Sequence, residues 1–226
     1  SKPRYWDDKF SFISLLLLPI SFIIVVLAYL KKNITHKIKH KIKVICIGNL
    51  YVGGTGKTPL AIDLVKSLNK HSKKTTLIKK FYKNHIDEFN LIKSNKISYF
   101  SDKSRNAAIL KAKKNKYNVV VLDDGFQDPS FYKDLSIICF NEKQLIGNGR
   151  IIPAGPMRES IDKAIKKSHL ALIIDKDINN LDDIKKIINE VKQKSLMIAQ
   201  TPHTFSGIEV ALLDLLAKKE NCPIYS

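Results

Sequence analysis

The apolar and polar positions of this chain follow two regimes that meet near residue 43. Residues 10–30, "FSFISLLLLPISFIIVVLAYL", carry no charged side chain. A spanning helix needs roughly 20 apolar residues, so the run predicts an N-terminal membrane helix. A core helix this apolar on all faces is unusual in so small a protein. A signal peptide fits less well, because the run is long and no small-x-small cleavage site precedes Lys31. Pro19 would kink such a helix, and lipid-embedded helices tolerate that. The next stretch, "KKNITHKIKHKIK", carries Lys31, Lys32, Lys37, Lys39, Lys41 and Lys43. The positive-inside rule then places everything downstream in the cytoplasm. The same lysines suit anionic headgroups.

Beyond residue 43 the pattern alternates. Apolar, β-rich runs lie at 43–48, 75–79, 97–100, 119–124, 135–140, 170–175 and 195–199. Helix-period stretches lie at 57–70, 102–114, 159–168 and 181–193. Strands alternating with helices predict an α/β body, a parallel sheet flanked by helices. The boundaries expected are an anchor and basic neck over 1–42, then the α/β body over 43–200.

Composition adds one constraint. The net charge of +18 favours polyanions such as nucleic acid, an anionic membrane surface or phosphorylated substrates. Lysines scattered among Ile and Asn also suit AT-biased coding, so part of the excess has no functional meaning. The 3 cysteines are widely spaced, and Cys46 and Cys139 sit inside apolar runs. That pattern suggests neither a disulfide framework nor a zinc site, and it suits a reducing cytoplasm.

The candidate chemistry begins at "GNLYVGGTGKTP", residues 48–59. A glycine-rich loop between a strand and a helix turns backbone N–H groups toward phosphate. Lys57 is placed to reach β/γ oxygens, and Thr58 to hold Mg²⁺. Pro59 suits the first turn of the following helix. The standard loop is G-x-x-x-x-G-K-[ST], and Tyr51 stands where its first glycine would be. The run "VVVLDD" ends in Asp123 and Asp124, the carboxylates a phosphate-loop site needs for its metal. Together these predict a P-loop NTPase-like fold. A guanine-nucleotide switch is disfavoured, because Asn115-Lys116-Tyr117-Asn118 lacks the Asp of an N-K-x-D motif.

Several segments together resemble the tetraacyldisaccharide 4'-kinases, or lipid A 4'-kinases. That family's Pro-x-[Phe/Tyr]-Trp start is similar to Pro3-Arg-Tyr-Trp6. Its loop, G-N-x-x-x-G-G-[ST]-G-K-T-P, lacks the first Walker glycine, so Tyr51 falls within its variation. Its D-D-G-[FL]-Q motif resembles Asp123-Asp124-Gly125-Phe126-Gln127, and its G-N-G-x-x-x-P-A-G-P-x-R-E segment resembles Gly147 to Glu159. The resemblance covers about residues 3–175.

It implies an ATP- and Mg²⁺-dependent kinase at the cytoplasmic face of the bacterial inner membrane. The family phosphorylates the 4'-hydroxyl of a tetraacylated glucosamine disaccharide 1-phosphate, a lipid A precursor, giving lipid IVA. The implied partners are that lipid and the anionic membrane surface, and no nucleic acid is expected. Carried over by motif, Val52, Gly53, Gly54, Thr55, Gly56, Lys57 and Thr58 would bind ATP. Thr58, Asp123 and Asp124 would hold the metal, and Arg158 and Glu159 would line the active site with Asp124. The family's G-D-E-P segment supplies a catalytic base, and "HIDEFNLI" has Asp87-Glu88 in that place. From the residues alone, Asp87 reads as the start of a surface helix.

The chain also departs from the family. Its S-R-G-Y-G turn is Lys79-Lys80-Phe81-Tyr82-Lys83 here, and the stretch from there to Asp87 is short. The His that follows D-D-G-F-Q is Asp128, which adds negative charge beside a triphosphate. Family members usually continue into a second α/β lobe with an F-A-G-I-G segment. Phe205-Ser-Gly-Ile208 echoes its start, so residues 201–226 are expected to be the remnant of that lobe in a truncated copy. The alternative to an active kinase is a catalytically degenerate, membrane-attached nucleotide-binding protein.

Overall fold

Strands covered on both faces read as near-continuous apolar runs, and most strands of this protein's sheet follow that pattern. A computed structural model describes residues 2–53, 56–71, 73–81, 86–141, 146–175 and 197–202. The strands are β1 (Lys43–Asn49), β2 (Thr75–Lys80), β3 (Tyr99–Asp102), β4 (Val119–Asp123), β5 (Leu135–Asn141), β6 (Leu170–Asp175) and β7 (Met197–Pro202). They form one 7-stranded sheet in the order β3-β2-β4-β1-β5-β6-β7. Every pairing in it is parallel. The predicted runs fall on these strands with shifts of up to three residues at an end.

Side chains of β1 alternate between two cores. Val44 and Cys46 pack with Ile78, Val120, Leu122 and Ile138 on one side. There they meet Ala108, Ile109 and Ala112 of helix α5 (Arg105–Lys114) and Ala164 and Ile165 of α6 (Ile161–Lys167). Ile45 and Ile47 pack with Leu77, Val121 and Ile137 on the other. That side is covered by Leu60, Ala61, Leu64, Val65 and Leu68 of α3 (Lys57–Lys70) and by Ile92 of α4 (Ile86–Ser94). The helix predicted over 57–70 is α3. The one predicted from 102 starts later, because Asp102 still pairs in β3 and Ser104 keeps an extended backbone. The helix predicted over 181–193 and the 205–208 segment lie outside the described residues.

The N-terminal run departs from expectation. Residues 10–30 form not one helix but two, α1 (Phe12–Leu16) and α2 (Leu18–Ile34), parted at Leu17. Pro19 supplies the reason: its ring crowds the carbonyl four residues back and it has no N–H to give, so it fits the first turn of a new helix. Among the described residues no helix is long and apolar enough to cross a membrane. The 17 residues of α2 span about 25 Å, against a hydrocarbon core of about 30 Å.

The polarity of this helix pair is inverted. Its buried residues are Ser14 and Ser21. Phe12, Leu16, Phe22, Ile23 and Leu27 are exposed. Both serines reach one loop. Ser14 donates to the Ala154 carbonyl, and Ser21 donates to Ile151 O at 2.9 Å and accepts from Ala154 N at 3.1 Å. Arg150 Nη1 donates to Ser14 Oγ at 2.7 Å, and Asn148 Nδ2 to Tyr5 O at 3.0 Å. Ile151 and Met157 form a bridge, and Met157 in turn bridges Tyr51 at the end of β1.

Candidate active site

β1 and β4 are neighbours with Ile47 opposite Asp123, so the segments leaving their C-terminal ends meet. In open α/β sheets this is where ligands bind. Gly48 has no room for a side chain, since a Cβ there would run into Phe126 Cβ. Asn49 then shapes the loop from within. Its Nδ2 donates to Tyr51 O at 2.6 Å and Gly53 O at 3.3 Å, while Oδ1 accepts from Lys57 Nζ at 2.9 Å. Gly56, at φ 77°, turns the chain into α3 in a conformation that favours glycine. Gly54 and Thr55 lie outside the described residues. Val52 donates its N–H to Pro156 O at 2.9 Å, so that group is engaged by the neighbouring segment. Tyr51 is buried edge-on against Trp6, with ring centroids 6.4 Å apart.

The acidic end of β4 faces this loop. Asp123 is buried, and its Oδ2 accepts from Thr58 Oγ1 at 2.8 Å. The same oxygen is paired with Lys79 Nζ from the end of β2. Asp123 Oδ1 is buried without a hydrogen-bond partner. A hydroxyl beside a carboxylate with an orphaned oxygen fits a hard, oxygen-seeking cation such as Mg²⁺. Asp124 sits at φ 64°, which Asp tolerates better than most residues. Arg158 Nη1 donates to its two oxygens at 2.9 and 3.2 Å.

Electrostatics tie these groups together. Burial alone would raise the Asp124 carboxyl, but the Arg158 guanidinium and the Lys57 ammonium hold it below the usual carboxylate range. Burial lowers Lys57, against the pull of Asp124. Burial would also lower Lys79, but the charge and hydrogen bond of Asp123, with Glu88, carry it above its ordinary value. The negative charge of Asp128 is locally compensated. Arg105 Nη1 donates to its Oδ2 at 2.9 Å, and Ser130 donates to its Oδ1 at 2.7 Å from the hydroxyl. Arg105 also donates to the Asp124 carbonyl.

The structure gathers Lys57, Thr58, Asp123, Asp124 and Arg158 around the end of β1. Glu159 stands beside them: its Oε1 accepts from Gln127 at 3.4 Å, and its Oε2 pairs with Lys167. Asp87 is exposed in the first turn of α4, and it is Glu88 that reaches inward, 2.6 Å from Lys79 Nζ. The sequence reading gave no role to Asn49, Gln127, Arg105 or Lys79. Asn49 and Gln127 stand inside the quoted motifs, and Gln127 Nε2 joins them by donating to Asn49 O at 3.0 Å. Lys79 leaves a fainter signal, a lysine closing an otherwise uncharged strand run.

A family model described as tetraacyldisaccharide-1-P 4'-kinase matches residues 13–101 and 87–221. A tetraacyldisaccharide 4'-kinase of Pelagibacter ubique (strain HTCC1062) is 40% identical over 191 residues, 84% of this chain and 60% of that protein. Its counterpart in Rickettsia canadensis (strain McKiel) is 31% identical over 228 residues, 91% of this chain and 70% of that protein. The chain thus spans between about three fifths and seven tenths of these relatives' lengths. The crystal structure of LpxK from Aquifex aeolicus in complex with ATP superposes with a TM-score of 0.63 at 24% identity, covering 74% of this chain and 61% of that one. HypB from Helicobacter pylori, in complex with nickel, shares the fold at a TM-score of 0.52 and 12% identity, covering 90% and 95% of the two chains. With its phosphate loop, its Asp-Asp strand end and the Gly147–Glu159 segment locked against both, the chain belongs to the tetraacyldisaccharide 4'-kinase family.

Proposed function

We propose that this protein transfers the γ-phosphate of ATP to the 4'-hydroxyl of a tetraacylated glucosamine disaccharide 1-phosphate, giving lipid IVA. The observation that carries this reading is the pairing of Lys57 with Asn49 and of Thr58 with Asp123 at one point of the sheet edge. Lys57 neutralises β/γ oxygens when it exchanges Asn49 for phosphate. Thr58 and Asp123 are the residues that would hold Mg²⁺, which supplies charge neutralisation at the transferring phosphoryl group. Arg158, held by Asp124, keeps a guanidinium beside the same space. Asp87 accepts the proton of the 4'-hydroxyl as that oxygen bonds to phosphorus, and the bond from phosphorus to the β–γ bridging oxygen breaks to release ADP.

The reaction is placed at the cytoplasmic face of the bacterial inner membrane. Support comes from the helix pair, whose exposed side is apolar and whose buried side holds serines, the reverse of a water-facing helix. Residues 1–42 are read as the membrane-facing unit, and 43–200 as the kinase unit. A variant with Phe12→Ser, Phe22→Ser and Leu27→Ser keeps Ser14 and Ser21. Each buried apolar side chain is worth about 1.5–3 kcal/mol, so the variant is expected to leave the membrane fraction. Identical sedimentation of variant and parent would remove the membrane role from this surface.

The decisive experiment is an assay in detergent micelles with γ-labelled ATP, Mg²⁺ and the disaccharide 1-phosphate. Label at the 4'-position is the expected product. ATP binding with no labelled lipid would overturn the kinase reading.

A further inference from the structure

Lys79 is the penultimate residue of β2, is 5% exposed, and lies opposite Asp123 in the β2–β4 register. An ammonium so deeply buried needs ionic partners. Among the described residues Lys79 has two, from different elements. One is Asp123 Oδ2 at the end of β4, the oxygen that also takes the Thr58 hydroxyl. The other is Glu88 Oε2 in α4, at 2.6 Å. Here a fixed cation sits on the carboxylate that would otherwise be an uncompensated negative charge beside the nucleotide's phosphates.

We propose that Lys79 is a resident counter-cation of the phosphate site, occupying Asp123 so that the nucleotide binds without a divalent ion and any divalent ion must compete with the ammonium for that carboxylate. This deepens the nucleotide reading of the loop and rests on it. With Lys79 in place, the charge of Asp123 is already partly compensated when the triphosphate arrives, the ammonium being shared with Glu88. Without it, Asp123 repels the phosphates until a divalent cation comes between them, so the demand for that cation rises. Glu88 holds the ammonium from the far side and fixes its position. A bond that merely stapled α4 to the sheet would have no bearing on divalent dependence.

The test is a titration of ATP binding on the purified full chain, followed with a fluorescent ATP analogue from excess EDTA to millimolar Mg²⁺. The wild-type protein is expected to bind the analogue in EDTA within about threefold of its Mg²⁺-saturated affinity. Lys79→Met is expected to lose about tenfold or more in EDTA and to recover as Mg²⁺ is added. Lys79→Arg keeps the cation and should follow the wild type. The wild-type measurement stands on its own if Lys79→Met fails to fold. A wild-type affinity that collapses about 100-fold in EDTA, or a Lys79→Met titration that overlays the wild type, would overturn the proposal while leaving the nucleotide site intact. Absence of analogue binding to the wild type under both conditions would instead overturn the reading of the loop itself, and this inference with it.

Discussion

Lys57→Ala is expected to weaken ATP binding by about 10- to 100-fold, the range for losing one charged hydrogen-bonding group worth about 1.5–3 kcal/mol. Lys57 is partly buried at the first position of α3 and rests on Asn49 Oδ1 at 2.9 Å. Asn49 is committed on its other side to Tyr51 O and Gly53 O, so the lysine is aimed by the loop it serves. Removing the ammonium leaves Asp124 still paired with Arg158, and Asp123 with Lys79 and Thr58. The fold should therefore survive with little change in Tm, and the loss should be confined to nucleotide affinity. Calorimetric titration with ATP and a thermal melt of the same samples decide the matter. An unchanged Kd would mean that the loop does not cradle phosphate.

Asp87→Asn is expected to lower the rate of lipid phosphorylation by about 10²–10⁴-fold, the usual cost of losing a general base, with ATP affinity unaltered. Asp87 is exposed in the first turn of α4, open to an acceptor arriving from solvent or from a lipid surface. Its neighbour Glu88 points the other way, to Lys79. Glu88→Gln would loosen that ammonium while sparing Asp87, so the two variants separate proton transfer from site organisation. If the rate falls with Glu88→Gln and holds with Asp87→Asn, the base has been assigned to the wrong carboxylate.

The strands could be read from the chain because burial on both faces makes them continuous apolar runs; β1, with Val44 and Cys46 on one core and Ile45 and Ile47 on the other, is the clearest case. The loop and the Asp-Asp end of β4 were legible for a related reason: phosphate and metal sites demand particular residues at particular spacings. Strand order was not legible, because no local pattern records which parallel neighbour a strand will take. The opposition of Lys79 and Asp123 depends on that order and was hidden with it. Asp128 misled for the same reason, since Arg105, 23 residues earlier, neutralises it only in the folded chain. At the N terminus the hydropathy of residues 10–30 masked two serines. Averaged over a window they weigh little, yet they choose which side of each helix faces the protein.

Those serines have a mechanical consequence. Ser21 is bonded to Ile151, Ile151 bridges Met157, and Met157 bridges Tyr51, two residues before Gly53. The apolar surface and the glycine-rich loop are therefore joined by one side-chain hydrogen bond and two backbone bridges rather than by a slack tether. On a bilayer, such a connection acts as a ruler. On the membrane reading proposed above, it would set the altitude and tilt of the transferring phosphoryl group above the plane, and an acceptor hydroxyl would be selected by the depth at which its own lipid carries it.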